Sequence, residues 1–253
     1  MGKAHKIACG AGRCLVRGER GRRRVLSGEA WRELRGQGAV RTFRERSVML
    51  RQGSPGTHLL ALTDGLAKVV CREPGGVVTW LAFRGPGDLL GEVSVFHGTT
   101  RTAEVVALTP CTAVVLEAER FRRFVEQHGL VMDLMRQALS RLRESDAHRT
   151  ELLTLPLVAR LARTLLRLVE LTAPGRGSEV VRLTGLSQEE IAQATGVTRN
   201  AVITGLQRLR ESGAVETARR VIVVKDMKAL RHWATADPGT TPVPALPPPP
   251  PTG

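Results

Sequence analysis

Between residues 57 and 117 the chain is written in strands, and from Glu117 onward in helices; this single change of period constrains the fold more than any other feature. "THLLAL" runs into Asp64-Gly65, "LAKVV" into Pro74-Gly75-Gly76 and "VVTWLAF" into Gly85-Pro86-Gly87, while Pro110 breaks "AEVVALTPCTAVVL". Short strands at near-regular spacing with a D-G hairpin signal predict an antiparallel sandwich or barrel rather than a parallel sheet. Upstream, residues Glu29 to Leu34 carry a short helical pattern. After Glu117 the period predicts a short helix to about His128 and a long one from about Leu130 to Thr154.

Within that long segment Val131, Met135, Ala138, Leu142, Ser145, Arg149 and Leu152 recur at alternating steps of four and three. That is a heptad seam, and it predicts a parallel pairing with a second copy of the chain. Leu134 and Leu139 widen the face toward the strand-rich domain; the alternative is a helix packed only on its own barrel. Pro156 is tolerated in a first helical turn but not inside a helix, so residues 153–157 form a candidate hinge.

"GEVSVFHGTTRTAEV", residues 91 to 105, has the parts of an anion cradle. Gly87 and Gly91 allow close approach of the backbone, "EVSVFHG" is long enough for one helical turn, and Arg101 with the Thr102 hydroxyl returns on the next strand. Glu92 would repel a phosphate, so its carboxylate fits only beside neutral donors such as ribose hydroxyls. A sugar phosphate satisfies both charges. The alternative is an exposed Glu92–Arg101 pair, which would contribute little.

Further on, "LTGLSQEEIAQATGVTRNAVITGLQRLRESGAVE" opens with Ser187 and has Glu190 three residues later, a capping box. Gly196 follows that helix and Thr198 can cap a second, which makes a helix-turn-helix. Residues at the start of the second helix enter the major groove. Arg199 and Asn200 match guanine and adenine edges, with Ile203 and Thr204 one turn on. "AVETARRVIVVKD" predicts a two-stranded wing with Arg219 and Arg220 at its turn for phosphates, and Arg208 and Arg210 are either phosphate contacts or solvated helix charges.

The charge balance agrees with a polyanionic partner: 38 Lys and Arg against 24 acids, a formal +14. Residues 1 to 24 supply half of that excess, with eight basic residues and one acid, and predict a flexible arm. Residues 237 to 253 hold eight of the fourteen prolines and predict a disordered or polyproline tail. No run of about 18 apolar residues occurs and no signal-peptide core follows the basic start, so a cytoplasmic protein without a membrane partner is expected. Cys9, Cys14, Cys71 and Cys111 lack CxxC spacing and are expected to be reduced thiols, without a metal.

"GDLLGEVSVFHGTTRTAEVVA" resembles the phosphate-binding cassette of cyclic-nucleotide-binding domains, and "RQGSPGTHLLALTDGLAKVV" resembles the hairpin that precedes it. With the helix-turn-helix, the chain from about 40 to 235 resembles the CRP/FNR family of bacterial transcription regulators. The resemblance implies an α+β fold: an N-terminal antiparallel β-roll, a long dimerisation helix and a C-terminal winged helix-turn-helix. The expected layout is a basic arm over 1–24, the β-roll over 25–128, the dimerisation helix over 129–155, the winged helix over 156–236 and the tail over 237–253. It implies no enzymatic activity, a cyclic nucleotide as effector (cyclic AMP ahead of cyclic GMP), and as partners double-stranded DNA with an inverted repeat, a second copy and RNA polymerase. Glu92 would then take the ribose 2'-hydroxyl, Gly91 would contact the sugar through its backbone, and Arg101 and Thr102 would hold the cyclic phosphate. Ser145 would face adenine, with Asp146 replacing a family hydroxyl. The best-known receptor has glutamate and arginine where this chain has Asn200 and Thr204, which implies a different operator. Alternatives left open are a ligand-independent sensor, a redox sensor drawing on Cys9 and Cys14, although the family's iron–sulfur members use a tighter N-terminal cluster, and, less favoured, a nucleotide-regulated subunit of an enzyme.

Overall fold

The computed structural model describes residues 26–174 and 180–235. The basic arm, the Pro-rich tail, Cys9 and Cys14 lie outside the described residues. Helix α1 (Gly28–Gly36), capped by the Ser27 hydroxyl, leads into eight strands: β1 (Ala39–Phe43), β2 (Val48–Leu50), β3 (His58–Asp64), β4 (Ala67–Arg72), β5 (Val78–Arg84), β6 (Leu89–Leu90), β7 (Glu104–Ala107) and β8 (Cys111–Glu117). They form two four-stranded antiparallel sheets, ordered β1-β8-β3-β6 and β2-β7-β4-β5. The turns at Asp64-Gly65 and Pro74–Gly76 and the break at Pro110 fall where the sequence puts them.

Between the sheets sit Phe43, Met49, Leu50, Leu60, Leu62, Leu90, Val105 and Ala113. The outer face of the first sheet is covered by α1 and by α3 (Ala118–Gln127), where Trp31, Leu34, Leu59, Phe121 and Phe124 are buried together. A short helix, α2 (Glu92–His97), bridges β6 and β7 and belongs to the cradle described below.

Helix α4 (Val131–Thr154) carries the chain to the second half, and Leu155-Pro156 separates it from α5 (Leu157–Thr172). Pro156 is the residue before the first turn of α5, where its missing N–H costs nothing. The second half is completed by β9 (Val181–Thr184), α6 (Gln188–Thr195), α7 (Arg199–Glu211), β10 (Val215–Ala218), β11 (Val221–Val224) and α8 (Met227–Thr235). Its sheet has three strands, β10-β11-β9, rather than the two expected of the wing alone. Helix α5 is the hub: Leu161, Leu165 and Leu168 are fully buried, and a Cβ on Gly205 of α7 would collide with Leu161 Cδ1, so the two helices touch at a side-chain-free position.

The two halves share a core. Leu66, Phe83 and Leu108 of the roll pack with the interior of the winged helix, and Lys68 of β4 pairs with Glu190 of α6 at 3.3 Å.

Along α4, two stripes separate. Leu134 packs on the α1–α3 cluster, as expected, but Leu139 does not face the roll. It joins Val131, Met132, Met135 and Leu142 in an apolar stripe whose members are each between 51% and 59% exposed. Leu152 is half-buried at the helix-turn-helix, 3.1 Å from where a Cβ on Gly196 would stand, and Leu153 takes the outward position. Of the heptad drawn from sequence, Val131, Met135, Ala138, Leu142 and Arg149 are exposed, while Ser145 is half-buried and Leu152 is taken by the helix-turn-helix; the exposed apolar stripe keeps the drawn phase and widens toward Met132 and Leu139.

Candidate functional site

The cradle forms where β6 ends. Gly91 has φ +85°, a left-handed conformation, and a Cβ there would collide with Arg101 Nη1. Only a residue without a side chain lets the Arg101 guanidinium lie against the start of α2. Arg101 is 4% exposed. Its Nη2 donates to the His58 carbonyl at 2.6 Å and its Nη1 to Ser94 Oγ at 3.3 Å, both neutral oxygens. Ser94 Oγ in turn donates to the Gly91 carbonyl at 2.9 Å. Burial pulls the guanidinium below its ordinary pKa. A buried cation satisfied by neutral acceptors alone is costly, and it is the arrangement that an incoming anion relieves.

Glu92 is also buried, at 8% exposure, and is not paired with Arg101. Its Oε1 accepts from Nη1 of Arg141, which comes from α4, and Arg141 Nη2 donates to the Leu89 carbonyl at 2.7 Å with Asp88 3.8 Å away. The expectation that Glu92 faces only neutral donors is therefore corrected: a guanidinium already balances it. The pair ties the cradle to the helix that leads to the second half. One Glu92 oxygen remains beyond that bond.

Both charges open on one cavity of about 300 Å³, lined among others by Leu81, Arg84, Gly91, Glu92, Arg101, Thr102, Arg141, Glu144 and Ser145. The five residues expected there from sequence, Gly91, Glu92, Arg101, Thr102 and Ser145, are brought together, whereas Asp146 is outside the lining. Sequence reasoning missed Arg141, Arg84 and Glu144. Arg141 is four residues before Ser145 and so on the same helix face, the one signal that would have found it.

At the far end of α4, Glu151 is buried and clamped by Arg163, at 3.1 Å, and Arg167, both from α5 beyond Leu155-Pro156. His148 lies 3.9 Å from Glu151, and its ring meets Trp80 of β5 edge-on at 4.7 Å. Burial and then Arg167 lower the His148 pKa, against the pull of Glu151; burial, Arg101 and Arg41 lower that of His58. With folded-state values below the unfolded 6.5, these imidazoles stabilise the fold above about pH 6.5, and that stability is lost as pH falls toward their folded values. Urea unfolding at pH 7.5 and 5.5 is expected to show a loss on acidification that is smaller in His148→Gln than in the natural chain; an equal loss would remove His148 from this role.

In the second half the capping box is closed in both directions: Ser187 Oγ accepts from the Glu190 amide at 3.2 Å, and Glu190 accepts from the Ser187 amide at 2.8 Å. Thr198 Oγ1 accepts from the Ala201 amide at 3.3 Å and is thereby the cap of α7. Arg199, Asn200, Ile203 and Thr204 line the exposed face of that helix, with Arg199 Nε 3.3 Å from Gln188 Oε1 and Thr204 Oγ1 donating to the Asn200 carbonyl. Arg208, Arg210 and Arg219 are exposed. Arg220 departs from expectation. It sits in the wing turn at φ +58°, but its guanidinium turns back to Glu45 of the roll and to the Gly185 carbonyl at 3.0 Å. In this arrangement it is a strut between the halves, not a free phosphate contact.

Among the described residues no helix is long and apolar enough to cross a membrane, and no cluster of three or more His, Cys, Asp or Glu could hold a metal ion.

Comparison with known proteins places both halves. The cyclic nucleotide-binding domain family matches residues 40–128, and the Crp-like helix-turn-helix domain family matches residues 159–233. The transcriptional regulator LdrP of Thermus thermophilus is 32% identical over 196 residues, 77% of this chain and 96% of that protein. A CRP-like cAMP-activated global transcriptional regulator of Mycobacterium tuberculosis is 26% identical over 76% of this chain and 86% of its own length. Among solved structures, a CRP-family transcriptional regulator of Thermus thermophilus aligns with a TM-score of 0.63 at 30% identity, covering 78% of this chain and 97% of that one. On a nucleotide-type cradle, a capped helix-turn-helix and these matches, the chain belongs to the CRP/FNR family of DNA-binding transcription regulators, which are not enzymes.

Proposed function

We propose that this chain is a homodimeric regulator whose DNA affinity is set by a cyclic nucleotide held in the β-roll. The observation that carries the reading is Arg101, a buried guanidinium bonded to neutral oxygens alone, opening on a cavity shared with Glu92. The cyclic phosphate takes Arg101 and Thr102. The ribose hydroxyls donate to the Glu92 oxygen not held by Arg141, and the Gly91 backbone lies against the sugar. Ser145 meets the base from α4. Because Arg141 joins Glu92 to α4, a ligand that engages Glu92 acts directly on the helix that ends at the Glu151–Arg163–Arg167 clamp and the hinge.

The exposed stripe of α4 pairs with a second copy, which sets two recognition helices for successive major grooves about 34 Å apart on an inverted repeat. Arg199 and Asn200 read base edges, with Thr204 beside them and Thr198 holding the helix start. Arg208 and Arg219 meet phosphates, and Arg220 joins them only when its contact with Glu45 opens. RNA polymerase is the further partner expected of such a regulator.

The test of the DNA half is competition between operator and unrelated DNA. Arg199→Ala is expected to lose about 1 to 3 kcal/mol of discrimination per half-site while binding to unrelated sequences is kept. An equal loss on every sequence would contradict its assignment as a base reader.

A further inference from the structure

The geometry points to Arg84 and Glu144 as the residues that choose the base, and to guanine as the base chosen; this rests on the cyclic-nucleotide reading above. Both side chains line the cavity that holds Arg101. Arg84, at the end of β5, is 7% exposed; its Nη1 donates to the Phe83 carbonyl at 2.8 Å and to Glu144 Oε2 at 3.4 Å. Glu144 stands three residues after Arg141 on α4, about 4.5 Å further along the helix axis. Arg101 is bonded to His58 and Ser94, and Arg84 to Glu144, so the two guanidiniums are held by separate partners in one cavity, which Ser145, Leu81 and Ala82 also line. With the phosphate on Arg101 and the sugar on Glu92, the base is the part of the ligand left for the Arg84–Glu144 pair.

The chemistry of that pair matches one purine better than the other. Guanine presents N1–H and N2–H₂ side by side, two donors for the two oxygens of one carboxylate, while O6 and N7 accept from a guanidinium. Adenine offers a carboxylate one exocyclic N–H and then the bare lone pair of N1, which repels it. A cavity end bearing a guanidinium and a carboxylate together therefore gains more from guanine. Arg84 then passes from an intramolecular pair to a three-way contact with the ligand, and the base joins β5 to α4. The expectation from sequence that cyclic AMP is the preferred effector rests on the family resemblance and on Ser145, with Asp146 already departing from the family hydroxyl; Glu144, one residue before Ser145, is the α4 carboxylate that lines the cavity, and Asp146 does not.

The experiment is calorimetric titration of the full chain with cyclic GMP, cyclic IMP and cyclic AMP, in the natural sequence and in Glu144→Gln. Cyclic IMP keeps N1–H and O6 but lacks the 2-amino group, so it isolates the second donor. The expected order is cyclic GMP, then cyclic IMP, then cyclic AMP, with about tenfold or more between the first and last. Glu144→Gln is expected to weaken cyclic GMP by about tenfold and leave cyclic AMP within about twofold. Cyclic AMP binding as tightly as cyclic GMP overturns the base assignment and leaves the nucleotide reading standing. So does a Glu144→Gln variant that weakens both nucleotides equally, since that is the signature of a pair that merely ties β5 to α4. No heat from any of the three with folded protein overturns the nucleotide reading itself, and the base assignment with it.

Discussion

Arg101→Gln is expected to lower cyclic-nucleotide affinity by about a hundredfold or more while leaving the thermal midpoint unchanged or raised. The two effects have one cause. In the folded chain the guanidinium is 4% exposed and bonded to the His58 carbonyl and the Ser94 hydroxyl, so its charge is removed from water without a matching anion. Glutamine keeps a donor for those oxygens and removes the charge, which relieves the desolvation cost. Hydrogen bonds to charged groups contribute about 1.5 to 3 kcal/mol each, and a phosphate would make two with this fork, so losing both accounts for a hundredfold or more. Differential scanning calorimetry with and without nucleotide reads both. A variant that melts well below the natural chain would mean that Arg101 is a structural residue whose neutral partners suffice.

The second large effect concerns the apolar stripe of α4. Leu139→Glu with Leu142→Glu is expected to give a monomer by sedimentation and to weaken operator binding by more than about a hundredfold, because two linked half-sites gain an effective concentration that one alone does not have. Both residues are more than half exposed in the single chain, so the change adds no buried charge to the monomer and its unfolding should move little. Glutamates facing their own copies across a parallel seam repel, which makes the double change specific to pairing. Unchanged dimer mass would show that the stripe is not the seam.

The parts of this molecule that sequence makes legible are those whose cause is local. The capping box at Ser187 and Glu190, the Thr198 cap and the αL glycine at 196 specify the helix-turn-helix within a dozen residues, and each is realised. The same holds for the hairpin turns and for the cradle, whose glycine, hydroxyl and guanidinium lie within a dozen residues. Strand β1 is not legible, because as an edge strand it buries only Phe43 and so shows no alternation. Nor is β6, two residues long, whereas α8 buries Met227, Leu230 and Ala234 in the core that it shares with α5.

Long-range pairing accounts for the rest. Arg141 meets Glu92 across 49 residues and Arg220 meets Glu45 across 175, and nothing in either stretch announces its partner. The heptad on α4 is legible as a period, but how far it stays open is not: the roll takes Leu134 and the helix-turn-helix takes Leu152, while Val131, Met135 and Leu142 remain exposed.

If the Arg101 guanidinium seats a cyclic phosphate, phosphorus NMR of a cyclic nucleotide added to the full chain reads that contact at the phosphorus itself. The prediction is a bound resonance, shifted from the free one, that saturates at one equivalent per chain and is missing with Arg101→Gln. A single unshifted resonance in the presence of folded natural protein, or a bound signal that survives the substitution, would contradict it.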